Sequence, residues 1–148
     1  MKFFTIATMS LMLSLSAFAE KTSTVKRSLF GDDFTCSVSA TYVPAEEASC
    51  GDLEEDHGEV EIDGSMSVEK GKSYYARYTL INSKNQIVDV AETDVQSAGN
   101  FDHLVISDYY ISLSSYGNHA VKMQVFNANT NQEICTTQSE VFTAKETK

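Results

Sequence analysis

The sequence predicts an all-β protein: a single antiparallel β-sandwich of about seven or eight strands behind a cleaved leader. Two observations carry this. Short runs rich in Tyr, Thr, Val and Ile recur at close intervals between polar turn segments. No convincing amphipathic helical period interrupts them. The 148 residues suit one domain, and 42% apolar content supports a packed core.

The leader comes first. Lys2 opens the chain with one positive charge, an apolar stretch runs from Phe3 to Leu15, and Ala17-Phe18-Ala19 closes it. A basic start, an apolar middle and an A-x-A end are the parts of a secretory signal. Cleavage is expected between Ala19 and Glu20, giving a signal peptide over 1–19 and a secreted domain over 20–148. No Cys lies just after the cut, so no lipid anchor is expected, and no second apolar stretch is long enough for membrane insertion. The signal resembles bacterial ones, which implies a secreted or periplasmic protein. Cys36, Cys50 and Cys135 then all meet an oxidising compartment.

In the domain itself, Phe34, Cys36, Val38, Ala40 and Tyr42 alternate with polar residues, a half-buried strand with these five inward. Pro44 ends it and is expected to start a short helical turn with Glu46 and Glu47 at its positive end. Val60-Glu61-Ile62 and Met66-Ser67-Val68 read as two short strands around Asp63-Gly64. Tyr74 to Ile81 and Gln86 to Ala91 follow, joined by a tight polar connection. Later strands are expected over His103 to Leu113, His119 to Asn127 and Glu133 to Phe142. Glu20 to Thr24 and Ala144 to Lys148 read as polar ends.

The segment from Leu113 through Tyr116, Gly117 and His119 to Val125 resembles the start of the penultimate strand of immunoglobulin-like sandwiches. There a Gly precedes an aromatic residue and an alternating apolar strand, which turns back into the last strand. The resemblance covers Leu113 to Phe142. It implies the architecture and none of the family's functions. His119 or Tyr116 must stand where such folds place a corner tyrosine, and no Trp supplies a core anchor.

Charge excludes several functions. With 11 Lys+Arg against 21 Asp+Glu the net charge is −10, which opposes a grip on nucleic acid or anionic lipid. Loss of Lys2 with the leader takes it to −11. Nine acids fall in the segment 46–63, with no Lys or Arg among them. The plain reading is a solvated acidic loop. A docking patch for a basic partner and a calcium site are the functional alternatives. Asp52, Glu54, Asp56 and Asp63 stand at relative positions 1, 3, 5 and 12 of a calcium loop, but His57 occupies the place of the required Gly.

Catalytic signals are sparse. His57, His103 and His119 are far apart, Cys50 with His57 lacks a further metal ligand of its kind, and Asp102-His103 is half of a catalytic pair at most. Nucleophile-elbow and phosphate-loop motifs are missing. Among aromatics, Tyr74, Tyr75 and Tyr78 share one strand and Tyr109 and Tyr110 another. One of each adjacent pair should face outward, either for cross-strand packing or as a platform for a ligand.

These readings favour a secreted, non-catalytic sandwich acting as a protein-interaction or accessory module of the envelope, without a cofactor. The alternatives are a calcium-binding secreted protein using the loop 46–63, and a small secreted enzyme or enzyme inhibitor. A Cys36–Cys50 disulfide is expected, because a turn after Pro44 would return Cys50 to the strand of Cys36. Cys135 would then be a buried thiol. The rival bridges are Cys36–Cys135, joining the final strand to the first, and Cys50–Cys135, joining it to the acidic loop.

Overall fold

The computed structural model describes residues 23–24, 34–45 and 57–146. The leader, Cys50 and the helical turn expected after Pro44 lie outside them. Among the described residues there is no helix. Ten strands follow one another: β1 (Ser23–Thr24), β2 (Thr35–Val43), β3 (Glu59–Ser67), β4 (Ser73–Asn82), β5 (Ile87–Glu92), β6 (Gln96–Ser97), β7 (His103–Ser112), β8 (Gly117–Asn127), β9 (Glu133–Gln138) and β10 (Phe142–Ala144).

They form two antiparallel sheets. Sheet A has the order β1-β2-β3-β7. In sheet B, β4 and β8 pair along nearly their whole length. β9 and β10 therefore share the remaining edge of β8, and β5 and β6 that of β4. The chain changes sheet between β3 and β4, between β6 and β7, and between β7 and β8.

Period-two alternation builds the core. Cys36, Val38, Val60, Ile62, Met66, Ile106 and Ile111 face inward from sheet A. Tyr74, Ala76, Tyr78, Leu80, Val121, Met123, Val125 and Cys135 meet them from sheet B. Side chains directly opposite in a ladder share a face, so Tyr78, Met123 and Thr137 form one inward row across β4, β8 and β9. Gly64 is buried on sheet A, and its missing side chain leaves room for the phenol of Tyr78 and the thioether of Met123.

Several local expectations change. The segments expected around Asp63-Gly64 are one strand ending at Ser67, because Asp63-Gly64 stays in the ladder with β2. The irregularity instead lies against β7, where Ile62 pairs with Tyr109 and Gly64 with Ile106. Ser107 and Asp108 thus oppose Asp63, a β-bulge, with Asp108 at φ +55°. The final run splits into β9 and β10 at Ser139, which bonds to Val121 through its backbone N–H and its hydroxyl. Ser23–Thr24, expected as part of a polar lead-in, pairs with β2.

The disulfide expectation is overturned. Cys36 is bonded to Cys135, 99 positions away, with a Cα–Cα distance of 6.4 Å. The inward direction of Cys36 follows from its alternation, but its partner comes from the opposite sheet. β2 and β9 lie against each other across the interior, so Cys135 is a half-cystine and Cys36 is not available to Cys50.

Candidate functional site

Two outer faces and one edge carry the chemistry of this molecule. β2, β3 and β7 contain four carboxylates, Glu59, Glu61, Asp63 and Asp108, and no Lys or Arg. The ladder places Glu61 opposite Tyr110, and the bulge brings Asp108 beside Asp63. The Tyr110 hydroxyl donates to Glu61 Oε1 at 3.1 Å, and the Asp108 N–H donates to Asp63 Oδ1 at 3.3 Å. The Tyr110 phenol sits above its ordinary pKa, first because of that bond to Glu61, then through burial and the negative charges of Glu61, Asp108 and Glu59. Beside these acids, Ser37 and Ser65 join β2 to β3 through a 2.7 Å hydroxyl pair.

Sheet B has a different outer face. Tyr75 stacks on Phe126 with ring centroids 5.1 Å apart, and Arg77 lies over the Phe126 ring at 5.0 Å. The Arg77 guanidinium also pairs with Glu92 at 2.6 Å, and the Tyr75 hydroxyl bonds to Asn131. These side chains are engaged with each other.

The edge is β7. It ends the order of sheet A, so one side of this ten-residue strand faces no described strand. Its apolar run Leu104-Val105-Ile106 exceeds what one inward face takes. Leu104 and Ile106 pack inward, while Val105 is 62% exposed and Tyr110 47% exposed. Tyr109 closes the end of the core beneath: its ring lies 5.2 Å from that of Tyr78, and its hydroxyl donates to the Glu92 carbonyl at 3.1 Å.

The residues singled out from sequence are largely not brought together. Asp63 is exposed and accepts the Asp108 N–H, while Asp52, Glu54 and Asp56 lie outside the described residues. No group of three or more His, Cys, Asp and Glu that could hold a metal occurs among the described residues. His57 packs against Tyr116 at 4.6 Å. Asp102 and His103 are both exposed, and no hydrogen bond joins their side chains; the Asp102 carbonyl instead accepts the Val68 N–H at 2.9 Å.

Of the two candidates for the corner place, His119 points into the interior and Tyr116 is exposed. His119 is buried, stacked on Phe142, and its Nδ1 lies 3.1 Å from the Gly117 carbonyl. Tyr74 and Tyr78 point inward, and Tyr75 and Tyr110 lie on opposite outer faces, so the tyrosines form no single platform. What sequence reasoning missed is the β7 edge. Its signal was the three consecutive apolar residues 104–106, one of which has to face outward.

Fold and surface together define a two-sheet antiparallel β-sandwich with an acidic outer face on one sheet. No protein-family model and no curated protein matches the chain. Among solved structures, a calcium-binding mutant of Bacteroides uniformis beta-glucuronidase 2 aligns over 68% of this chain and 12% of its own, at 8% identity and a TM-score of 0.46.

Proposed function

We propose that this chain is an exported, immunoglobulin-like β-sandwich without catalytic activity, which binds another protein as an interaction or accessory module of the bacterial envelope. The observation that carries the reading is the long β7 edge beside an outer face whose charges are all negative. Strand edges and one-signed faces are features that recognise partners rather than transform substrates. The order β2-β3-β7 facing β9-β8-β4-β5 supports the immunoglobulin-like part, since it is the Greek-key arrangement of such sandwiches. Export is supported by the three-part leader and by a disulfide between the sheets, which persists in oxidising compartments.

Photo-cross-linking in the producing cells tests the reading. A photoreactive phenylalanine analogue at position 110 should give a discrete protein adduct, and the unlinked chain should begin at Glu20 outside the cytoplasm. Absence of adducts from position 110 and from every other exposed position overturns the interaction role. A cytosolic chain that keeps residues 1–19 overturns export.

A further inference from the structure

We propose that the edge of β7 that faces no described strand is a strand-addition site for an extended, Lys- or Arg-bearing segment of a partner protein. This rests on the interaction-module reading and names its surface and the chemistry of its ligand.

The hydrogen-bond phase identifies the groups on offer. The Val68 N–H donates to the Asp102 carbonyl, and the Leu113 N–H donates to the Gly58 carbonyl. In an antiparallel ladder, hydrogen-bonded and non-bonded pairs alternate from such anchors. Leu104 and Ile106 on one side of the bulge, and Tyr109 and Ile111 on the other, therefore aim their backbone groups at β3. His103, Val105, Tyr110 and Ser112 aim theirs away from it, and all four are exposed. An added strand would hydrogen-bond to these four residues.

Exposed edges are ordinarily blunted by charged side chains, Pro, β-bulges or short length, and the bulge at Ser107-Asp108 divides the β7 edge into two segments. β7 has ten residues with neither Lys nor Pro, and outward Val105 and Tyr110 supply apolar contacts beside the open backbone. Among the described strands, β1, β6, β9 and β10 also lie at sheet edges and are two to six residues long, while β5 is protected. It has six residues, and the outward N–H of Val90 is already bonded to Asp89 Oδ1 at 2.7 Å. Charge selects the occupant of β7. Glu61, Asp63 and Asp108 flank the edge with no cation on β2, β3 or β7 to oppose them. A second copy of this chain would bring the same acids against them, whereas a segment alternating apolar and basic side chains would place its cations over Glu61 and Asp108.

The test uses the secreted chain and a synthetic peptide of alternating Lys and Val. Two control peptides accompany it: alternating Glu and Val, and the Lys–Val peptide methylated on every backbone nitrogen. Residue-resolved amide exchange should show His103, Val105, Tyr110 and Ser112 unprotected in the free chain and slowed by the Lys–Val peptide alone. Val105→Pro removes one edge donor at a position where Pro is tolerated, and should weaken binding about tenfold, as the loss of one or two main-chain hydrogen bonds does. Val105→Lys should weaken it as well, whereas Val90→Pro on β5 should not.

Protection that appears on β5 or sheet B, or equal binding of the methylated peptide, would overturn the β7 assignment and leave the interaction-module reading standing. No binding by the Lys–Val peptide would also overturn it. So would amides already protected in the free chain, whether its own residues or a dimer seen by sedimentation cover the edge. The interaction-module reading itself falls separately, with the loss of all cross-links in cells.

Discussion

Replacing Gly64 with Ala would place a methyl group 2.6 Å from the Tyr78 hydroxyl oxygen and 3.0 Å from the Met123 sulfur. Both distances are too short for a carbon, so two inward side chains of sheet B must move. Backbone preference alone would favour Ala in a strand by about 0.5–1 kcal/mol. Overpacking a filled interior costs about 1–3 kcal/mol, so crowding wins and a net loss of about 1–2 kcal/mol is expected. Tyr78→Phe acts on the same contact from the other side. The Tyr78 hydroxyl is buried without a hydrogen-bond partner, a situation that costs about 1–3 kcal/mol, so its removal should stabilise the fold by about 1 kcal/mol. In that background the nearest obstacle to a methyl group at position 64 is gone, and Gly64→Ala should become close to neutral. The assay is urea denaturation of the oxidised chain for both single variants and the double variant. A coupling energy of about 1–2 kcal/mol is expected between the two sites. Additivity within about 0.5 kcal/mol, or a Tyr78→Phe variant less stable than the parent, would refute the packing argument.

Removing the bridge with Cys36→Ala and Cys135→Ala together should cost up to about 4.7 kcal/mol in the chain-entropy model. Non-reducing peptide mapping checks the pairing, and a Cys36–Cys50 peptide would contradict it. Ser139→Ala strands the buried N–H of Val121, which the serine hydroxyl now accepts at 3.0 Å; a loss of about 1–3 kcal/mol in thermal or urea unfolding is expected. Burial holds the phenols of Tyr74, Tyr78 and Tyr109 above their ordinary pKa of 10.0, so the folded chain keeps protons that the unfolded chain releases. Their contribution to stability is full below pH 10 and is lost as the pH rises above it. In an alkaline titration their tyrosinate absorbance should appear together with unfolding; ionisation of all the tyrosines in a still-folded chain at pH 10 would contradict it.

The strands and their faces were legible because alternation is a local property. Cys36, Val38, Ala40 and Tyr42 pack as their spacing from Phe34 implies, and the runs around Tyr74, His103 and His119 became β4, β7 and β8 with small shifts at their ends. Two short polar segments depart from their local pattern because of non-local contacts. Asp63-Gly64 looks like a turn but stays in its strand, because β2 pairs with it and β7 absorbs the irregularity through Asp108. Ser139-Glu140-Val141 looks like strand but breaks it, because the Ser139 hydroxyl takes the place of a backbone carbonyl at Val121.

By itself, the sequence determined that this chain is all-β, which side chains of the strand from Phe34 to Tyr42 turn inward, and that the domain is acidic. These follow from a two-residue period and from composition, which need no knowledge of neighbours. Only the tertiary structure decided that Cys36 meets Cys135, that Gly64 leaves room for Tyr78, and that β7 ends its sheet with no described strand beyond it. Each depends on which strands lie side by side or face to face, and that order is a long-range choice made by packing two sheets around one interior.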